Sequence, residues 1–370
     1  MKILQLISSG GLYGAEVVVR NLAVHLNRLG CDCRVGVFLN SHNPHLELAE
    51  SLDREGVPVV VLPCRGRFDA DTVRAIRRYV RSEGIDICNT HGYKADLFGL
   101  AAAAGLRAAL VTTRHTTVDE HQLIPGLRLY CIADNIAAQR FARIVTVSDA
   151  IARGLRKWGV PRAKMRVVAN GTDLEAFEGA APKLGPRCGR VVGYVGRLTE
   201  EKGAFDLVDA SARVLGGIPG SKLVIAGDGP GRQALESRIA ALGILHAVEL
   251  LGAVPHTKIA SVYASLDILA LPSHGEGLPM CILEGMAAGC AVVASRVGAI
   301  PTVIEHGVNG ILVQPRDVGA LAKELEQLLG EPGRTASLAA RGRATVCERF
   351  SAQAMARQYL AAYREVAPSC

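Results

Sequence analysis

Short apolar runs recur along the whole chain, each closed by glycine, proline or a charged residue, and stretches with apolar residues at helical spacing separate many of them. Continuous apolar runs of this length read as strands buried on both faces, which is what a parallel sheet requires. In the first half they are ILQLIS (3–8), CRVGVFL (33–39), VPVVVL (57–62), DICNTH (86–91), AALVTT (108–113), RIVTVS (143–148) and MRVVAN (165–170). Helical patterns over residues 15–29, 70–83, 95–104 and 150–158 lie between them. At 179–189 the text becomes GAAPKLGPRCG, with several breakers and no period, and a domain boundary is expected there. The alternation restarts with VVGYVG (191–196), then KLVIAG, VELLG, ILALP, AVVAS and ILVQP. Beyond Arg316 the chain reads as helical, and 351–366 carries an amphipathic face with Met355, Tyr359, Leu360 and Tyr363. The expected fold is α/β, with two Rossmann-like parallel-sheet domains facing an inter-domain cleft. The domains are expected at 1–180 and 181–350, with 351–370 a terminal helix.

Composition narrows the function classes. The chain has 370 residues, beyond the size at which one core keeps growing, so two domains are the default. A net charge of +7 favours anionic ligands or an anionic membrane face. Basic residues cluster in the first half, at Arg67, Arg74, Arg77, Arg78 and Arg81, then at Arg140, Arg143, Arg153, Arg156 and Lys157. Aromatics are only 4% and no nucleic-acid-reading motif accompanies these clusters, so no nucleic-acid partner is expected. The ten cysteines form no CxxC pair, which suits a reducing compartment and argues against a disulfide framework or zinc site. No apolar run is long enough for a signal peptide or a membrane span, so the chain reads as cytoplasmic, with a peripheral contact at the inner membrane face as an option.

The densest candidate chemistry is SHGEGLPMCILEGMAAGCAVVAS, residues 273–295. Glu276 falls in a glycine-flanked loop after a strand, and Glu284 about a turn and a half inside the following helix. Pro279 suits the first helical position and Gly289 the stop. Three more loops follow strands. SSGGLYGAE (8–16) offers glycines and a helix N-terminus to an anion, or is a tight turn and no more. GRLTEEKG (196–203) carries Arg197 and Lys202, which suit phosphate oxygens, although Glu200 and Glu201 offer ion-pair partners. AGDGPGR (226–232) is a glycine turn into a helix. Two cations and two carboxylates at the strand ends of one domain fit a nucleotide sugar. Cations neutralise a diphosphate, and carboxylates accept hydrogen bonds from sugar hydroxyls.

The run HGEGLPMCILEGMAAGCAVVASRVGAIPTVIEHGVNGILV resembles the signature of the retaining glycosyltransferases of family 4, with Glu276 and Glu284 as the E-x7-E pair. GRLTEEKG, AGDGP, NGTD (170–173), the N-terminal glycine stretch and the terminal FSAQAMARQYLAAYREV match as well, so the resemblance runs nearly end to end. It implies the GT-B architecture and a terminal helix returning to the first domain. It also implies that Arg197 and Lys202 bind the donor diphosphate, that Gly10 and Gly11 bring backbone amides to those phosphates, and that Glu276, beside Gly277 and Leu278, contacts the donor sugar. Glu284 would take the ribose hydroxyls. His115, in VTTRHTT, would sit by the transferred sugar, with His91 in NTHGYKAD as a competing histidine.

The resemblance further implies a metal-independent hexosyl transfer with retention, acceptor and leaving group sharing one face of the sugar, and no cofactor beyond a UDP- or GDP-linked donor. The acceptor would be a saccharide or lipid-linked hydroxyl in envelope polysaccharide, lipopolysaccharide or glycolipid synthesis. HQLIPGLRLYCIAD (121–134) is a stretch that could face such an acceptor or a membrane, or be an ordinary buried helix. A nucleotide-sugar epimerase and a non-catalytic sugar-nucleotide-binding protein remain as alternatives.

Overall fold

The computed structural model describes residues 1–42, 44–66, 69–115, 132–182 and 190–368. Arg67, Cys131, Cys188, Cys370 and residues 121–131 of the stretch considered for the acceptor lie outside the described residues. The chain divides into two compact units. The first comprises residues 1–171 together with 352–370, and the second residues 172–351.

In the first unit every apolar run identified above becomes a strand: β1 (Lys2–Ile7), β2 (Asp32–Asn40), β3 (Val59–Cys64), β4 (Ile87–His91), β5 (Ala109–Arg114), β6 (Arg143–Thr146) and β7 (Met165–Val167). They form one parallel seven-stranded sheet in the order β3-β2-β1-β4-β5-β6-β7. The intervening helices are α1 (Gly14–Arg28), α2 (Glu47–Arg54), α3 (Ala70–Glu83), α4 (Tyr93–Ala103) and α5 (Asp149–Lys157). Local chemistry sets their ends. The Asp69 side chain caps α3 by accepting from the Asp71 amide at 3.0 Å, and the Ser148 hydroxyl caps α5 by accepting from the Ile151 amide at 3.3 Å.

The second unit repeats the plan with β8 (Val191–Val195), β9 (Lys222–Ala226), β10 (Val248–Gly252), β11 (Ile268–Leu271), β12 (Ala291–Ser295) and β13 (Ile311–Val313). These form a parallel six-stranded sheet in the order β10-β9-β8-β11-β12-β13. Its helices are α6 (Ala204–Val214), α7 (Arg232–Ala241), α8 (His256–Tyr263), α9 (Met280–Ala287), α10 (Ile300–Val303), α11 (Val318–Gly330) and α12 (Pro332–Arg349). Both units are Rossmann-like. In each sheet the strand order reverses once, between β1 and β4 and between β8 and β11, and the strand ends beside such a reversal are where open α/β sheets bind ligands. None of the described helices is long and apolar enough to cross a membrane, and every described cysteine is a free thiol.

Two boundaries differ from expectation. The join between units falls at Gly171/Thr172, ahead of the breaker-rich 179–189 stretch. The residues before that stretch already belong to the second unit, because the Thr172 amide donates to the Phe350 carbonyl at 2.9 Å and the Phe177 ring stands edge-on to Tyr263 at 5.9 Å. Pro279 is the N-cap of α9, one position before the first helical residue. Gly289, with a φ of 84°, lies just past its end as expected.

The last helix, α13 (Ala352–Arg364), belongs to the first unit and packs on α1. Its buried face is the one the sequence pattern marked: Met355, Tyr359, Leu360 and Tyr363. Tyr363 is wholly buried, and its hydroxyl accepts from Gln5 Nε2 at 3.2 Å on the central strand β1. Replacing it, as Tyr363→Ala, would leave a cavity and reduce the acceptors of Gln5 Nε2 to the Cys33 sulfur at 3.8 Å. The expected loss is about 4 kcal/mol from the stability of the first unit. Urea titration followed by the tyrosine near-ultraviolet signal checks this, and an unchanged midpoint would show that the terminal helix does not stabilise the unit.

Candidate active site

In the second unit the loops that follow β8 and β11 flank the strand reversal and carry the charged residues singled out in the sequence. Lys202 ends a short 3-10 turn (Glu200–Lys202), and Gly203 at φ 74° starts α6. A side chain at Gly203 would place its Cβ 2.0 Å from the Pro272 carbonyl oxygen, so only glycine lets this turn lie against the end of β11. The approach has a chemical consequence. Lys202 Nζ donates to both carboxylate oxygens of Glu276 at 2.8 Å, and the Ser273 hydroxyl donates to Glu276 Oε1 at 2.8 Å. Glu276 is only 7% exposed, so this carboxylate is charge-paired inside the protein. Its loop is held on two further sides. The His274 amide donates to the Glu201 carbonyl at 2.8 Å, and the Ala299 amide to the Gly277 carbonyl at 2.9 Å. His274 Nε2 also meets Asp206 Oδ2 at 2.9 Å.

Glu284, on α9, is buried apart from this pair. The Tyr263 hydroxyl donates to its Oε2 at 2.8 Å, while its Oε1 faces His256 Nε2 at 3.9 Å, beyond hydrogen-bond reach. One carboxylate oxygen is therefore pinned and the other is left for a hydroxyl donor. The Cys281 thiol, one position after the first residue of α9, is pushed up by burial and by both the Glu276 and Glu284 carboxylates, so it senses the two acids together. Leu278 is buried and sits with Gly277 in the Glu276 loop. Arg197 is exposed. Its loop is braced from the backbone, with the Tyr194 hydroxyl donating to the Arg197 carbonyl at 2.9 Å and the Leu198 amide to the Asp228 carbonyl at 3.0 Å. The AGDGPGR turn is thus a brace for the Arg197 loop.

In the first unit the glycine loop departs from its expected role. The Gly10 amide donates to Glu16 Oε1 at 3.2 Å, the Tyr13 amide to Glu16 Oε2 at 3.3 Å, and the Gly11 amide to the Ser9 hydroxyl at 3.3 Å. The amides expected to cradle phosphate already have acceptors, because α1 brings its own carboxylate back over its N-terminus. Burial pushes the Glu16 carboxyl up, against the opposing pull of those amides. An anion at this loop would have to displace Glu16.

The two candidate histidines are one pair. His91 Nδ1 lies 3.0 Å from His115 Nε2, and the rings stack with centroids 5.3 Å apart. His91 Nε2 faces Gln5 Oε1 at 2.9 Å. Asn89 Nδ2 meets the same nitrogen at 3.0 Å, so His91 Nε2 stands between an acceptor and a donor. Burial holds His91 well below the usual imidazole range and His115 down at about 4. His91 is buried and His115 half-buried, so His115 is the member open to a ligand. The preceding residue, Arg114, is fixed by ion pairs to Asp96 and Asp134.

Sequence reasoning missed Ser273, His274, Tyr263 and Glu16. Ser273 and His274 stood inside the quoted stretch, but a hydroxyl or imidazole two or three residues from a carboxylate says nothing of its direction. Tyr263 lies on another helix, and no spacing rule reaches it. Glu16 stood six residues after Gly10, at a distance where a capping return was readable.

Comparison with known proteins identifies the family and the fold. Residues 13–176 match the Glycosyltransferase Family 4 profile and residues 183–345 the Glycosyl transferases group 1 profile. A D-inositol 3-phosphate glycosyltransferase of Mycobacterium bovis is 29% identical over 395 residues, covering 96% of this chain and 79% of that protein. A glycogen synthase of Mycobacterium tuberculosis is 33% identical over 213 residues, 56% of this chain, and the match spans only about half (51%) of that enzyme. Among solved structures, HepE of Anabaena in complex with UDP-glucose superposes with a TM-score of 0.84 at 25% identity, covering 99% of this chain and 100% of that one. Sucrose-phosphate synthase of Thermosynechococcus elongatus, at 22% identity and a TM-score of 0.81, shares the fold, with 99% of each chain covered.

The neutral histidine pair has a pH signature. His115 takes up its proton at about 4 in the folded chain and at about 6.5 when unfolded. Between those values the unfolded chain binds more protons, so stability is fully present above about 6.5 and is lost as pH falls toward 4. His91 acts in the same sense. Urea midpoints measured from pH 7 to pH 4.5 are expected to fall more steeply for the natural chain than for a His91→Gln/His115→Gln variant. Parallel slopes would mean that the pair is solvated and charged in the folded state.

Proposed function

The chain belongs to the GT4-type glycosyltransferases of the GT-B fold, and on that premise we propose that it moves a hexosyl group from a UDP-linked donor to a hydroxyl of a saccharide or lipid-linked acceptor, with retention of configuration. The observation that carries this is the Lys202–Glu276–Ser273 cluster at the strand reversal of the second sheet. It joins a cation suited to phosphate with an acid suited to sugar hydroxyls. HepE, solved with UDP and with UDP-glucose, supports the choice of UDP over GDP.

In this reading the donor exchanges partners with the protein. Lys202 turns from Glu276 to the diphosphate, and the freed Glu276 oxygens accept hydrogen bonds from the sugar. Glu284, held at one oxygen by Tyr263, presents the other to the ribose. Negative charge grows on the diphosphate as the glycosidic bond breaks, so Lys202 and the exposed Arg197 act most strongly in the transition state, each by about 3 kcal/mol. Two cations in those positions supply the charge that a divalent ion supplies elsewhere, which is the basis for proposing metal-independent transfer. Attack from the leaving-group face needs no carboxylate nucleophile on the opposite side. His115, neutral at pH 7, is a hydrogen-bonding partner for substrate and not a cation. Gly10 and Gly11 serve the diphosphate only if Glu16 yields their loop. An acceptor from envelope polysaccharide, lipopolysaccharide or glycolipid synthesis would place the enzyme at the cytoplasmic side of a membrane.

The test begins with binding. UDP and UDP-glucose are expected to raise the melting temperature, GDP and ADP to do so less, because a ligand that binds only the folded state stabilises it by mass action. Arg197→Ala and Lys202→Ala are each expected to lower kcat for transfer by about two orders of magnitude. Unchanged affinity and turnover in both would sink the proposal. Interconversion of the donor sugar without acceptor would point to an epimerase, and binding without any turnover to a carrier.

A further inference from the structure

The arginines at 153 and 156 take no part in the candidate site, yet they line a hollow in which arginines outnumber acids four to one. On the first unit, α5 and the outermost strand β7 enclose a hollow of about 690 Å³ lined by Arg153, Arg156, Arg162 and Arg166, with Asp149 the one acidic lining residue. Arg166 is neutralised by Glu365, which it meets at 2.7 Å and which also pairs with Arg143 at 2.6 Å. Arg153, Arg156 and Arg162 are exposed, and their side chains have no ion-pair or hydrogen-bond partner among the described residues. On α5 the apolar residues Ile151, Ala152 and Leu155 face the core, so Arg153, Arg156 and Lys157 share the outward side. Val167, on the edge strand at the same hollow, is 41% exposed.

Each feature restricts the partner. Unpaired guanidinium groups side by side call for phosphate or carboxylate oxygens. A site for a small anion would draw its charges inward and bury them, whereas these three all point to solvent. The lining holds no aromatic side chain on which a base could stack, which disfavours single-stranded nucleic acid. Guarding an edge strand against pairing requires charge on the strand itself, and Arg166 already supplies it there. Arginines off the strand beside an exposed valine match a lipid interface, where headgroup phosphates take the charges and the apolar side chain enters the acyl boundary. We propose that the α5–β7 face of the first unit docks on an anionic phospholipid surface, with Arg153, Arg156 and Arg162 as the headgroup contacts. The other arginine-rich face, on α3, is the weaker one: Arg74 is paired with Asp71 and Arg77 donates to the Ala102 carbonyl, so two arginines, Arg78 and Arg81, remain exposed there without a partner among the described residues, against three at the α5–β7 hollow.

The experiment is co-sedimentation of the full chain with phosphatidylcholine vesicles, with and without phosphatidylglycerol. The natural chain is expected to bind only the anionic vesicles, and less so as salt is raised. A basic side chain at such a surface contributes on the order of fivefold in partition, so the triple variant Arg153→Gln/Arg156→Gln/Arg162→Gln is expected to bind about a hundredfold more weakly. The variant Arg74→Gln/Arg78→Gln/Arg81→Gln removes equal charge from α3 and is expected to bind nearly as the natural chain does. Equal losses in the two variants would reduce the effect to net charge and overturn the proposal. No vesicle binding by the natural chain would overturn it as well. So would competition by inorganic phosphate beyond that of chloride at equal ionic strength, or binding of single-stranded RNA in place of vesicles. UDP affinity is read in parallel, so failure here and failure of the glycosyl-transfer proposal are separately visible.

Discussion

A carboxylate only 7% exposed has to be paired, and the second unit is arranged around meeting that requirement for Glu276. Leaving such a charge without a partner costs several kcal/mol, more than most single contacts contribute. The pairing with Lys202 dictates the rest. Lys202 reaches Glu276 because Gly203 lets the turn after β8 close on the Pro272 carbonyl, and Gly298, at φ 54°, would place a Cβ 1.8 Å from the Glu276 carbonyl oxygen. Glycine at those two positions is a packing requirement created by the ion pair. The strand reversal between β8 and β11 brings the two loops together, so the topology and the charge pair are one constraint seen at two scales.

The first unit follows a parallel logic with different groups. Its reversal lies between β1 and β4, and the groups there are also satisfied internally: the Gly10 and Tyr13 amides by Glu16, and His91 by Gln5 and His115. In both units these particular groups already have partners within the protein. A ligand entering such a site has to offer hydrogen bonds at least as good as those it displaces, which discriminates against molecules that match only in shape. A diphosphate can do this for Lys202, because it brings more charge than one carboxylate. At the glycine loop the exchange is less favourable, since Glu16 is held by two amides and has no cation to hand over.

The strands were legible because parallel sheets bury both faces, and two-sided burial writes itself as unbroken apolar runs such as VVGYV and ILAL. Helix α2 was not, since Glu47–Arg54 is short and buries only Leu48, Ala49, Ser51 and Leu52. Glu276, Glu284, Arg197 and Lys202 could be picked out because charged residues beside glycine at strand ends are uncommon. Their partners could not, because Tyr263 meets Glu284 from 21 residues away and Ser273 turns on a torsion angle. The misplaced join has the same origin. Breakers mark where the backbone bends, whereas the unit boundary is set by where hydrogen bonds go, and Thr172 bonds to Phe350.

The return of the last helix has a consequence for the histidines. Gln5 stands in the middle of β1 with its amide held at both ends: Nε2 donates to the Tyr363 hydroxyl of α13 and to the Cys33 sulfur, and Oε1 accepts from Asn89 at 2.8 Å and lies 2.9 Å from His91 Nε2. An amide so committed cannot flip without breaking bonds at both ends. Gln5 therefore keeps its oxygen toward His91 Nε2, which Asn89 Nδ2 also meets at 3.0 Å. The C-terminal helix does more than cover the apolar face of α1. By holding Gln5 in one orientation it ties α13 through one run of polar contacts to the imidazoles at the far end of the strands, so the terminal helix and the histidine pair are best regarded as parts of one polar assembly.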